Sequence, residues 1–131
     1  MLAASLATVL VAGAASKGSP GFTTAQGPML EGVGGASYKP IISVGDRLNG
    51  GYMFESIPDG IAFSKNGKGT VDLFVNHETS TVPFPGIFTD FTNAMVSELR
   101  LSQNGGGVLR GRYVIPSSAN FQRFCSSYLA T

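Results

Sequence analysis

One stretch, Ile57 to Ser80 (IPDGIAFSKNGKGTVDLFVNHETS), constrains the fold of this chain more than any other. Gly60 to Ser64 is a short, largely apolar run closed by Lys65-Asn66-Gly67-Lys68-Gly69, and an Asn-Gly pair supplies the positive φ angles that tight hairpin turns need. Beyond the turn, Val71, Leu73 and Val75 alternate with Asp72, Phe74 and Asn76. A period of two places the first set on one face of a strand and the second on the other, so burial of the apolar face fixes the register. Two antiparallel strands are therefore predicted here, the second ending on Asn76-His77-Glu78 with the only histidine of the protein. Strand ends held by a rigid sheet are places where ligands and metals bind.

A second hairpin follows the same logic. Met95, Ser97, Leu99 and Leu101 alternate with Val96, Glu98 and Arg100; Gln103 to Gly107 forms the turn; Val108 to Ile115 returns with Arg110 and Arg112 on one face. Between the hairpins, Val82 to Phe91 combines Pro83 and Pro85 with Phe84, Ile87, Phe88 and Phe91, an irregular aromatic loop expected to fold over the sheet end. Upstream, Tyr38 to Val44 is a candidate edge strand entered through Pro40. Gly45 to Gly51 is then a loop, Tyr52 to Ile57 a further extended stretch, and Pro58-Asp59-Gly60 a turn. The expected class is mainly β: antiparallel meander sheets preceded by a signal-like helix, with material for one to two blades of an incomplete β-propeller, although an ordinary sandwich contains such meanders as well.

The N-terminal end divides from this region by composition. Residues 1–16 (MLAASLATVLVAGAAS) carry no charge and end in small residues, as the apolar region and cleavage site of an export signal do, although the usual basic start is missing. The segment is short for a membrane span, so no stable span is expected. Residues 17–37 read as a flexible leader of Gly, Ser, Thr and Pro, and 38–131 as the partial propeller region. With 9 basic against 8 acidic residues and no basic cluster, nucleic acid is not an expected partner. A lone cysteine, Cys125, forms no internal disulfide: it is a buried thiol, pairs outside the chain, or binds a ligand.

Four segments, PDGIAF, DLFVNHE, MVSELRL and RFCSSYLA, resemble in order and separation the N-terminal part of the PhoX-like alkaline phosphatases and related secreted propeller proteins. The resemblance covers roughly Gly45 to Thr131. It implies a six-bladed propeller with calcium and iron on its axis, acting on small phosphorylated substrates in a secreted or periplasmic setting. Carried over by position, Glu78 is a candidate carboxylate ligand and Cys125 a candidate thiolate ligand. Thr79 stands where the phosphatases usually carry an aromatic residue, which brings the chain closer to the divergent relatives.

The residues themselves leave other readings open. Calcium takes hard oxygen ligands and iron accepts carboxylate or thiolate, which suits Glu78, Cys125 and the Asn76 carbonyl. A glutamate at a strand end is also an ordinary solvated residue, and Asn76 an ordinary turn cap. His77 has no second histidine for a two-histidine metal site and no nucleophile beside it in sequence, so a structural, hydrogen-bonded histidine is expected. The catalytic residues and the substrate-binding residues are not specified. The fragment is expected to be inactive alone; a non-enzymatic secreted β module and a calcium-dependent propeller hydrolase of the lactonase kind are the alternatives. Signatures for nucleotide hydrolysis, zinc sites and the serine-hydrolase elbow are missing.

Overall fold

The computed structural model of the protein describes residues 21–67, 69–78 and 93–124. They form one open four-stranded antiparallel sheet in the order β1 (Ile57–Gly67), β2 (Thr70–Glu78), β3 (Met95–Ser102) and β4 (Val108–Ile115). Both hairpins fall where period-two alternation and turn glycines place them. In the first, positive φ falls on Gly67 and Gly69 rather than on Asn66. In the second, Gly105 and Gly106 adopt φ 89° and 73°, and the Ser102 amide donates to the Gly107 carbonyl at 2.9 Å. The Gln103 amide donates to the Gly69 carbonyl at 2.9 Å, tying the two turns together.

Cross-strand register sorts the side chains into two faces. Val75, Ser97 and Tyr113 are opposite one another, as are Leu73, Leu99 and Gly111. This is the core face, and the preceding segment packs across it: Leu48, Tyr52 and Phe54 join Val75, Leu99 and Val108, with Phe22, Ile41, Ile42, Leu73, Leu101 and Tyr113 packed around them. Area removed from water here supplies the main cohesion of the fold. The opposite face carries rows of charge. Arg100 grips Asp72 through two bonds of 2.8 and 2.9 Å, while Arg110 (2.7 Å) and Arg112 both donate to Glu98. Glu98 is only 5% exposed, so its charge is satisfied by the guanidinium groups above it.

Two local expectations are corrected. Pro58-Asp59-Gly60 is not a turn: it lies inside β1, where the register slips by one residue between Pro58 and Ile61. The turn-prone residues are absorbed as a bulge, because pairing with β2 outweighs local turn preference. Tyr38 to Val44 is not a strand either. Pro40 has no amide to donate, and the segment lies over the sheet, with the Ile41 carbonyl accepting from the Thr24 amide at 3.0 Å.

Residues 45–54, read from sequence as a loop and an extended stretch, double back on themselves. Arg47 bridges Met53, the Leu48 amide donates to the Tyr52 carbonyl at 2.8 Å, and Gly50 and Gly51 turn the chain with positive φ. Nearer the N-terminus, Phe22 exchanges two backbone hydrogen bonds with Val108, so this part of the leader is anchored at the start of β4. The signal-like segment 1–16 and the aromatic loop from Val82 to Phe91 lie outside the described residues, as does Cys125. Among the described residues no helix is long and apolar enough to cross a membrane.

Candidate functional site

His77 stands on the core face because it follows Val71, Leu73 and Val75 in the period-two pattern, opposite Met95 and one step from Ser97. Residues 52–55 are laid over it. The imidazole is fully buried, with Nδ1 2.6 Å from the Glu55 carbonyl oxygen and Nε2 2.7 Å from Ser97 Oγ. Ser97 Oγ is in turn 2.6 Å from the Tyr52 hydroxyl. Edge-on contacts of the imidazole with Phe54 and Tyr113, at centroid distances of 4.9 and 5.7 Å, close the remaining sides.

The proton order of this chain is assigned by chemistry. A carbonyl only accepts, so Nδ1 carries the hydrogen and donates to Glu55. In the neutral imidazole Nε2 then accepts, so Ser97 donates to it, and Tyr52 donates to Ser97. The result is one directed run, Tyr52 to Ser97 to His77 to the Glu55 backbone, in which each bond polarises the next. Burial supports the neutral form throughout: it lowers the affinity of His77 for a proton, and it pushes the Tyr52 hydroxyl well above the usual phenol range.

A serine within 2.7 Å of an imidazole whose other nitrogen is held by a carbonyl has the spacing of a nucleophile and its base. Ser97 and His77 are both 0% exposed, so no substrate reaches them, and the network acts as a structural one. Sequence reasoning placed His77 in such a role but missed Ser97 and Tyr52. The one available signal was a polar residue on the otherwise apolar face Met95, Leu99, Leu101.

The metal candidates are placed differently. Asn76 and Glu78 share the face opposite His77, about 7 Å apart along the strand by the usual rise per residue. Asn76 is buried at 2% exposure, and Glu78 is half-buried and pairs with Ile57. The backbone of Glu78 is held by Ser56, whose hydroxyl donates to the Glu78 carbonyl. Ser56 adopts φ 67°, a conformation that costs a non-glycine residue energy and that this bond helps to hold. Among the described residues no three His, Cys, Asp or Glu side chains come together. One carboxylate and one buried amide do not make a calcium or iron site, since calcium takes six to eight oxygens. Cys125, the third candidate, lies outside the described residues.

The buried groups predict a two-stage pH response. His77 has a folded-state proton affinity below that of the unfolded chain, so its contribution is complete above the unfolded value near 6.5 and declines as pH falls below it. Hydrogen bonding from Arg112 to Glu98 and from Arg100 to Asp72 holds both carboxyls below their ordinary values of 4.5 and 3.8. Their stabilisation is therefore present above those values and is lost only on further acidification. Thermal melts are expected to show a first decline that sets in as pH falls below about 6.5 and disappears in His77→Gln, and a second at more acidic pH, below about 4, that remains.

No family profile matches the chain, and comparisons with curated proteins and with solved structures find no match.

Proposed function

We propose that this chain is one sheet of an exported, metal-dependent phosphomonoesterase of PhoX-like type, with Glu78 contributing to a centre whose other ligands come from outside the described residues. The observation that carries this reading is the consecutive meander β1 to β4, the architecture of a propeller blade, with Asn76 and Glu78 ending its second strand. Calcium would supply Lewis-acid clamping of a phosphoryl oxygen. The role of this chain is to hold Glu78: Ser56 fixes its backbone, and the buried His77 beside it fixes the strand end.

Calcium titration of the whole chain tests this. A site with the affinity of extracellular calcium modules, about 10⁻⁴ to 10⁻³ M, adds about 1.4 kcal/mol at tenfold excess. That raises the melting temperature by several degrees, and Glu78→Gln is expected to abolish the rise. No shift with calcium or with ferric iron overturns the reading.

A second reading, a non-enzymatic binding module, is favoured by one feature. The loops 26–30 and 38–44 enclose with Phe54 and Pro58 a cleft of about 610 Å³, lined mainly by Met29, Leu30, Tyr38, Ile42 and Val44. Its size and apolar lining are those of small-molecule sites. A small apolar fluorophore that binds stoichiometrically and is lost in Ile42→Asp, with no response to metal, is the result expected of that reading.

A further inference from the structure

Asparagine followed by glycine occurs at Asn49-Gly50, Asn66-Gly67 and Asn104-Gly105, and all three asparagines are exposed. Glycine sets no side chain beside its own nitrogen, so the backbone amide that follows each of them is open to attack the neighbouring side-chain amide. The three sites differ in what holds the peptide group between the two residues. Asn66-Gly67 closes β1, where Gly67 pairs with Thr70 and its carbonyl accepts from the Thr70 hydroxyl at 3.0 Å. At Asn104 the Ser102 hydroxyl grips both sides, accepting from the Asn104 backbone amide at 3.2 Å and donating to the Asn104 carbonyl at 3.4 Å. Lys39 Nζ adds a bond of 3.3 Å to the Gly105 carbonyl. Asn49-Gly50 lacks such ties. The Gly51 amide donates to the Leu48 carbonyl at 3.3 Å, and φ is positive at Gly50 (100°) but not at Asn49, which makes Leu48 to Gly51 a type II turn. Among the described residues no hydrogen bond reaches the Asn49 carbonyl or the Gly50 amide, the two groups of its central peptide. Rotation of that peptide is the motion that interconverts type II and type I turns, and it carries the Gly50 nitrogen past Asn49 Cγ.

We propose that Asn49 is a site of spontaneous deamidation, the asparagine at which this chain ages first, and that its conversion loosens the cover of the sheet. The Gly50 nitrogen bonds to Asn49 Cγ, the Cγ–Nδ2 bond breaks, and the proton of the attacking nitrogen leaves with the side-chain amide as ammonia. A five-membered imide remains. Water opens it at either carbonyl, a proton returns to the Gly50 nitrogen, and the new carboxylic acid gives its proton to the ammonia. One water is consumed, one ammonia is released, and nothing is oxidised or reduced. The formal net charge at pH 7 falls from +1 to zero. Opening at the main-chain carbonyl leaves the chain running through Cγ, one carbon longer at the tip of the turn. That turn brings the Leu48 amide to the Tyr52 carbonyl at 2.8 Å, and both side chains belong to the core, so a longer turn disturbs the packing of the cover on the sheet.

Incubation of the whole chain in mildly alkaline buffer, followed by peptide mass mapping, tests the proposal. Asn49 is expected to gain about 1 Da at least about tenfold faster than Asn66 or Asn104, whose hydrogen bonds must break before the peptide rotates. In concentrated urea, where no turn persists, the three rates are expected to converge. Ser102→Ala removes the grip on Asn104 and is expected to raise the rate there several-fold while leaving Asn49 unchanged. The deamidated chain, separated by ion exchange on its lost charge, is expected to melt below the fresh one. Asn49→Gln, whose longer side chain closes the ring far more slowly, is expected to keep its melting temperature through the same incubation. Equal rates at the three sites in the folded chain, or an order that survives in urea, overturns the proposal. So does a deamidated chain that melts with the fresh one.

Discussion

Replacing His77 with alanine is expected to cost about 3–5 kcal/mol, the loss of a large buried ring together with the groups it satisfies. The imidazole is fully buried, and its removal leaves the Glu55 carbonyl and the Ser97 hydroxyl without the partners they now have at 2.6 and 2.7 Å. The cavity cannot fill by small movements, because Phe54 and Tyr113 are already packed edge-on around the ring. Against a typical total of about 5–15 kcal/mol, this removes a large part of the stability of the domain. Urea unfolding of His77→Ala, Ser97→Ala and the double variant measures it. The double variant is expected to lose less than the sum of the singles, since one network is broken only once. A loss below about 1 kcal/mol for His77→Ala, or strict additivity, would contradict the directed run described above.

The second large effect is expected at Gly111. In the register Gly111 sits opposite Leu99, and the Tyr52 ring lies on it in place of a side chain. A Cβ added there meets Tyr52 Cδ1 at 2.5 Å, Tyr52 Cε1 at 2.7 Å and Leu48 Cδ1 at 2.9 Å, all below the closest approach that real Cβ atoms make. Valine gains at most about 1 kcal/mol of strand preference, while forced overpacking costs about 1–3 kcal/mol and more for a branched residue. The clash therefore wins. Tyr52 cannot swing aside freely because its hydroxyl holds Ser97 at 2.6 Å, so displacing the ring also opens the His77 network. Gly111→Val is expected to lower the melting temperature by about 10–20 °C, at about 4–8 °C per kcal/mol for a domain of this size, and Gly111→Ala by less. Removing part of the obstacle with Leu48→Ala should not recover the loss, because the two nearest atoms belong to Tyr52.

Both predictions turn on Tyr52, which shows how residues outside the sheet determine its interior. The Tyr52 and Tyr113 rings meet at a tilt of 47° with a centroid distance of 5.1 Å, and the Tyr113 hydroxyl donates to the Met53 carbonyl at 2.7 Å. The covering segment is thus held to the sheet by polar ties as well as by apolar contact. Substitutions in 52–55 are for this reason expected to act on the sheet itself.

What was legible in the sequence was local. Alternation in Val71 to Val75 and in Met95 to Leu101, with glycines at both turns, specifies two hairpins, because a period of two and a positive φ are properties of a few adjacent residues. The mainly β class follows from the same signals, and the expectation that His77 is a structural, hydrogen-bonded residue follows from its place in the alternation and from the lack of a second histidine or an adjacent nucleophile. The partners of His77 were not legible. Ser97 is 20 residues away and Tyr52 25, and only pairing of β2 with β3 and the fold-over of residues 45–54 bring them together. The Pro58-Asp59-Gly60 turn failed for a related reason: its local preference is real, but hydrogen bonds to β2 on either side convert it to a bulge. The sequence by itself determined the two hairpins, the turns that close them and the apolar faces of β2 and β3. Tertiary structure decided what covers that face and which polar groups meet beneath the cover, because those contacts depend on register and packing between segments far apart in the chain.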